Sequence, residues 1–374
     1  MVLQKFFRKK SKRKGGNSDD PRYLVDHTTL SDDEYVRLCY RFFLERSADQ
    51  GGLNYFVQKL HEGRSRAEIL KEIVQSGEFR DLQNKYSPFR LPSLRDLRPE
   101  QYQLCKQYKK EGEALAFRIL SPADFDWLEE MILQHGYYDN GGLWEAEIDD
   151  DKRVIAQMAQ LLQPRRSLEL GCFNGSVVKL MRDAGIDAEG VEISHLALSL
   201  VHRPIRSKIH FGDIRQIDLE PDYDLILAMD LFEHLNPNSL DQYILRCREL
   251  LGSGGYVFTN IPAYGCDALF GEVHPFVFDD WKSIVDSDGM FPTLHVDRDG
   301  WPISGHLIWA ETGWWQQQFE TQGFRRECDI ERALHQRFDH FIVANTPARK
   351  SFYIFSVGMP ENTSQNIISH INSV

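Results

Sequence analysis

The sequence of 374 residues predicts an α/β fold in which a doubly wound sheet follows a small all-α domain. Three observations carry this expectation. Between Arg166 and Asp213, short apolar segments end in glycine or acidic turns at the spacing of a nucleotide-binding half-fold. Two further apolar runs, Tyr223 to Asp230 and Ser253 to Pro262, alternate with helical stretches, as a sheet covered on both faces requires. Residues 31–79, by contrast, carry only helical periodicity, punctuated by capping signals.

The elements follow in chain order. The first fourteen residues hold seven basic side chains (Lys5, Arg8, Lys9, Lys10, Lys12, Arg13, Lys14) and no acid. This segment reads as a basic disordered tail, residues 1–30. With Leu3, Phe6 and Phe7 beside the charges, two readings stay open: a solvated tail, or peripheral contact of residues 1–14 with an anionic membrane at roughly 1 kcal/mol per basic residue. Ser31-Asp-Asp-Glu34 is a capping box for a first helix through Tyr35, Leu38, Cys39, Phe42 and Phe43. A second helix is expected from about Gly52 to Glu62, and a third after the capping box Ser65-Arg-Ala-Glu68, closing the domain (31–85) near Ser76-Gly-Glu-Phe79. Pro88, Pro92 and Pro99 mark a linker, and the rest of 86–135 looks helical. Gly136 to Trp144 is an aromatic loop in which Tyr137, Tyr138 and Trp144 are candidates for a lid or for ordinary packing.

The chemistry is concentrated after residue 165. Ser167-Leu-Glu169-Leu-Gly171-Cys172-Phe173-Asn-Gly175 is a strand that ends in a glycine turn and opens into a helix, so backbone N–H groups and the positive helix end can approach a ligand. Glu192, twenty-one residues beyond Gly171, ends the next strand (Ala188 to Ile193) and suits a ribose diol. Asp213 ends a third strand, Lys208 to Gly212, and suits an adenine amino group, with Ile214 beside it. The fourth strand ends in Met229-Asp230 and continues into Leu231-Phe-Glu233-His234. A dinucleotide site is disfavoured, because Phe173 and Ser176 stand where two of three fingerprint glycines belong.

Taken together, these motifs resemble the class I S-adenosylmethionine-dependent methyltransferases over roughly Asp151 to Met359. The resemblance implies a Rossmann-like, seven-stranded sheet in a domain spanning 136–359, with S-adenosyl-L-methionine as cofactor. Its donor site would be formed by Glu169, Gly171, Cys172, Phe173, Gly175, Glu192, Ile193, Asp213, Ile214, Met229 and Asp230. The middle glycine common in the family's loop is Phe173 here. The fold usually ends in an antiparallel pair, read here as Phe324 to Ile330 and Ser351 to Gly358 after a helix at about Glu311 to Gln322, with 360–374 as a C-terminal tail. The segment Tyr35 to Arg80 is similar to a helical domain of unknown function that recurs in bacterial surface-layer, haemolysin-like and glycan-assembly proteins, which implies docking to a glycan-assembly partner.

Methyl transfer to an alcohol needs in-line alignment and a base for the departing proton, and histidine is the usual base. His234, His306 and His274 are the candidates, the last in Gly271-Glu-Val-His-Pro-Phe276. Asp230 and Glu233 stand near His234, but no spacing compels a metal site, and none is assigned. Asp286-Ser-Asp-Gly289 and Asp297-Arg-Asp-Gly300 read as turns, since the calcium-loop pattern is absent. Residues 263–305 form an acceptor-side insertion, and five of the seven tryptophans follow residue 280, so one or two are expected in the acceptor pocket.

Composition bounds the function. A net charge of −12 argues against a nucleic-acid partner, and the six cysteines have no paired spacing. No apolar run approaches the ~20 residues of a membrane span, and no signal peptide is evident, so the chain reads as cytoplasmic, with the basic tail at the inner membrane surface as the variant. The expected function is bacterial O-methylation of a saccharide or glycan-linked intermediate. Methylation of another small molecule, including N-methylation of an amino sugar, and a non-catalytic adaptor role stay open.

Overall fold

The computed structural model describes residues 30–44, 46–79, 91–139, 148–281 and 289–373. The basic tail, Trp144 and most of the Asp286–Gly289 turn lie outside these residues. The chain divides into two compact units, Met1–Arg90 and Leu91–Val374.

In the first unit three helices form, Asp32–Phe43, Gln50–His61 and Arg66–Val74. Both expected capping boxes are present, at Ser31 with Glu34 and at Ser65 with Glu68. The apolar faces meet in a small core of Tyr35, Val36, Cys39, Tyr40, Leu53, Phe56, Ile69 and Ile73. Gly52 is required at its place, because a Cβ there would lie 2.1 Å from the Tyr40 hydroxyl.

The second unit is built on a seven-stranded sheet. Its strands are β3 (Arg166–Leu170), β4 (Asp187–Glu192), β5 (Ile209–Phe211), β6 (Tyr223–Met229), β7 (Leu251–Asn260), β11 (Arg325–Arg326) and β12 (Phe352–Ser356), in the order β11-β12-β7-β6-β3-β4-β5. Strands β3 to β7 are parallel, and β12 runs antiparallel to both β7 and β11. The near-continuous apolar runs of β6 and β12 suit strands buried on both faces. Helices Asp150–Leu161, Ser176–Asp183, Cys328–Asn345 and Glu361–Ser373 contribute to one apolar layer, and Leu240–Leu250 and Thr312–Thr321 to the other. Strand order reverses between β3 and β6, so the binding crevice of such a sheet lies beyond their carboxyl ends.

Three expectations need correction. Residues 102–118 are not helical: β1 (Tyr102–Lys106) and β2 (Glu113–Arg118) form a hairpin, and β10 (Thr293–His295) pairs with β2 to complete a second, three-stranded sheet, while β8 (Cys266–Asp267) and β9 (Gly271–Glu272) form a short antiparallel pair. Ala114, Leu115 and Ala116 favour helix locally, but pairing with a distant strand and burial of Ala116 and Phe117 override that preference. The stretch 91–139 is thus no linker. It shares an apolar core with the 263–309 region through Phe117, Phe125, Leu128, Leu294, Trp301 and Trp309.

The expected strand Phe324 to Ile330 shrinks to two residues, after which the helix Cys328–Asn345 begins. Ile330, Leu334, Phe338 and Ile342 recur at a four-residue interval and are all buried, which is helical rather than strand periodicity. The C-terminal tail is likewise a helix, Glu361–Ser373, with Ile367 and Ile371 buried in the core.

Candidate active site

The glycine loop follows β3. Gly171 (φ 66°), Phe173 (φ 47°) and Gly175 (φ 73°) all take left-handed backbone, and Gly175 caps the helix Ser176–Asp183. For Phe173 this geometry costs about 1–2 kcal/mol relative to glycine. Crowding fixes Gly175: a Cβ would sit 2.5 Å from Ile205 Cδ1. The Cys172 thiol is buried against Gly190, and the Cys172 N–H donates to the Val191 carbonyl at 3.1 Å.

Glu169 lies beneath the loop and accepts the Val178 N–H at 3.2 Å. Burial raises its pKa to about 8, opposed by the Val178 bond. Glu192 is the organising acid. Its carboxylate accepts N–H groups from Phe173 at 2.8 Å, Ile193 at 2.8 Å and Ser194 at 2.7 Å, clamping the glycine loop to the end of β4. Burial pushes its pKa up, opposed by these three bonds.

Asp213 is engaged by Arg215 at 2.6 Å and by the Tyr243 hydroxyl at 3.2 Å. Burial would raise its pKa, but the Arg215 bonds outweigh this and hold it below the usual carboxylate value. An adenine amino group there would share an occupied carboxylate. Ile193 is exposed and Ile214 is buried among core side chains, with Met229 half-buried at the end of β6. Asp230, in left-handed backbone (φ 50°), pairs with Arg349, which also bonds Asp151 at 3.1 Å and Asn260 at 2.9 Å. Sequence reasoning missed Arg349, which stands in a single 3₁₀ turn before β12 without periodicity to mark it.

Beyond β6 a short 3₁₀ turn, Phe232–His234, carries Glu233 and His234. The Glu233 carbonyl accepts N–H groups from Leu307 at 2.8 Å and Ile308 at 3.0 Å, which brings His306 to the same place. His234 and His306 lie with ring centroids 4.8 Å apart, and each has Nε2 near Glu233 Oε1, at 3.8 and 3.9 Å. Among the described residues, Glu233, His234 and His306 are the one group of three such ligating side chains that converge. His274 is not part of it.

Glu233 is fully buried, and among the described residues neither carboxylate oxygen has a hydrogen-bond partner beyond its own backbone N–H. Burial pushes its pKa well up, reinforced by the nearby Asp230 charge. Burial lowers His234 to about 4, and it lowers His306 to about 3 with help from the neighbouring His234 and His274. Both imidazoles are therefore neutral at pH 7.

The turn Tyr137–Asp139 links the two halves of the site. Asp139 accepts the Ser194 hydroxyl at 2.8 Å, and the Tyr138 hydroxyl lies 3.4 Å from His234 Nδ1. Tyr137 instead stacks on Trp301 in the core. The tryptophans also serve packing: Trp301, Trp309 and Trp315 are buried. Asp297 forms the expected turn, accepting N–H groups from Asp299 and Trp301, both at 2.9 Å.

Comparisons with known proteins agree with this architecture. Residues 145–337 match a family described as a methyltransferase domain, and residues 24–83 match a domain of unknown function (DUF4214). The first match spans more than half of the chain, which belongs to this methyltransferase family and carries a class I domain whose methyl donor is S-adenosylmethionine. A curated relative, the ubiquinone biosynthesis O-methyltransferase of Bordetella avium (strain 197N), is 28% identical over 112 residues, covering 28% of this chain and 45% of that protein. This chain thus spans less than half the length of that relative.

Two solved structures are also similar. The 1,6-didemethyltoxoflavin-N1-methyltransferase of Burkholderia thailandensis, with its namesake compound and S-adenosylhomocysteine bound, is 13% identical, with 67% of this chain and 97% of that one covered and a TM-score of 0.40. The CcbJ methyltransferase of Streptomyces caelestis is 21% identical, with coverages of 61% and 96% and a TM-score of 0.36. Among the described residues, no helix is long and apolar enough to cross a membrane.

The two low imidazole pKa values have a consequence for stability. Each histidine titrates near 6.5 when unfolded and near 4 or 3 when folded, so the unfolded chain binds more protons in between. Their contribution is present above pH 6.5 and is lost as pH falls toward 4 and 3. Melting temperature measured against pH should therefore fall less steeply over this acid range for His306→Gln than for the wild type. Parallel curves would show that His306 is not held neutral by burial.

Proposed function

We propose that the chain transfers the methyl group of S-adenosylmethionine to a hydroxyl group of a saccharide or glycan-linked small molecule. The observation that carries this reading is the convergence of Glu233, His234 and His306 just beyond β6. The donor loop is adjacent, since a Cβ on Gly171 would lie 3.1 Å from Leu231 Cδ1. In this reading Glu192 holds the ribose and the loop amides approach the donor.

The acceptor oxygen lies at the Glu233 group, which takes up its proton. The methyl carbon then passes to the oxygen while the S–C bond pair stays on sulfur. Glu233 is the base placed for this step, because its carboxylate faces both imidazoles and burial pushes its pKa up while it lowers theirs. The saccharide preference rests on the resemblance of Tyr35 to Arg80 to a helical domain that recurs in glycan-assembly proteins, a domain that would dock the enzyme to such a partner. The named activity of the Bordetella relative, an O-methyltransferase, points to the same bond.

The test is incubation of the purified chain with methyl-labelled S-adenosylmethionine and free or nucleotide-linked monosaccharides. Label recovered as an O-methyl ether is the expected result. Label only on the nitrogen of an amino sugar would replace this reading with N-methylation. A folded chain that binds no donor would leave the adaptor role.

A further inference from the structure

We propose that Glu233, His234 and His306 bind a divalent first-row cation of the zinc or cobalt type, with at least one coordination position open to the acceptor. This inference rests on the methyltransferase reading for its chemical purpose, but its geometry stands separately. The candidate ligand atoms all lie within 4.8 Å of one another, and the two imidazole Nε2 atoms are 3.8 and 3.9 Å from Glu233 Oε1. Bonds of about 2.0–2.2 Å from one central ion place neighbouring ligand atoms roughly 3–4 Å apart. The group needs only a small contraction to close on an ion.

The second observation is the carboxylate itself. Glu233 is fully buried and, among the described residues, neither of its oxygens has a hydrogen-bond partner beyond its own backbone N–H, a state that is costly unless a proton or a cation satisfies it. The main chain holds it there, because the Leu307 and Ile308 N–H groups bond its carbonyl and fix His306 opposite. His234 is held by its neighbours, with the Tyr138 hydroxyl 3.4 Å from Nδ1 and the Gly305 carbonyl accepting a ring N–H, while its Nε2 stands 3.8 Å from Glu233 Oε1; partners of this kind aim metal-binding imidazoles.

Two imidazoles and one carboxylate favour borderline transition ions over magnesium or calcium, which prefer all-oxygen sites. Three protein ligands are the pattern of a catalytic site, where the remaining position takes water or substrate. An acceptor hydroxyl bound there loses its proton more readily, and the Glu233 oxygen that is not on the ion takes that proton up. The resulting oxygen anion attacks the donor's methyl carbon, an O–CH₃ bond forms, and the S–CH₃ pair returns to sulfur to give S-adenosylhomocysteine.

The test uses the chelator-treated full chain titrated with Co²⁺, followed by visible absorption, with Zn²⁺ as competitor. Donor binding and far-UV circular dichroism are measured on the same samples. One equivalent of Co²⁺ should bind with a visible band that Zn²⁺ displaces. Glu233→Gln and His306→Ala should abolish the band while donor binding and fold persist, and Tyr138→Phe should weaken Co²⁺ binding about 10-fold to 100-fold.

A folded, donor-binding wild type that takes up neither ion would overturn the proposal, as would a band untouched by both ligand variants. Stoichiometric Co²⁺ uptake that both variants abolish, in a protein that binds no donor, would uphold the cation site and remove the methyltransferase reading instead.

Discussion

Replacing Glu192 with alanine should lower the affinity for S-adenosylmethionine by about 10-fold to 100-fold, since a ribose diol adds two hydrogen bonds to a charged group and displaces one, a net of one bond worth about 1.5–3 kcal/mol. The expectation follows from what this carboxylate already does without ligand. It accepts the N–H groups of Phe173, Ile193 and Ser194, three of the roughly four lone-pair positions a carboxylate offers. A ribose diol would take the remaining position and displace one amide, most simply that of Phe173, whose bond bridges from the loop to β4.

The same bond gives the variant a second effect. Alanine would leave the loop amide unpaired, and because Phe173 is already in left-handed backbone, the loop would lose the contact that holds it there. Glu192→Gln separates the two effects. Its amide oxygen can still accept from the loop, whereas its NH₂ group cannot accept from a hydroxyl. Calorimetric titration with the donor and with S-adenosylhomocysteine reads the result, and unchanged affinity in Glu192→Ala would remove Glu192 from the ribose role.

What the sequence discloses and what it hides differ for physical reasons. Gly171, Gly175 and Glu192 are legible because their work is local: a turn that needs left-handed backbone, and an acid at the tip of a strand. The parallel strands are legible because each is an apolar run between turn signals. The β1–β2 hairpin is not, because its stability comes from pairing with β10 and from burial of Phe117, both set by residues far along the chain. His306 could be marked as a candidate by its residue type, but its partnership with Glu233 depends on two backbone bonds from Leu307 and Ile308. Arg349 gave no signal at all. Its guanidinium gains meaning only where the ends of β6 and β7 bring Asp230 and Asn260 beside Asp151.

Glu233→Gln should cut turnover by about 100-fold to 10,000-fold, the range of a lost general base, while donor affinity stays unchanged. Its effect on stability should have the opposite sign. A buried carboxylate that meets no hydrogen-bonding group of another described residue is destabilising where it stands, and glutamine keeps its shape while removing the ionisable group. The melting temperature of the variant in chelator should therefore equal or exceed that of the wild type. A carboxylate retained for packing or for an ion pair would behave in the reverse way, lowering stability on replacement and sparing kcat. Turnover and thermal denaturation of the same preparation thus distinguish a residue kept for chemistry from one kept for the fold. A variant that melts lower with kcat intact would assign Glu233 to the core and return the base role to His234 or His306.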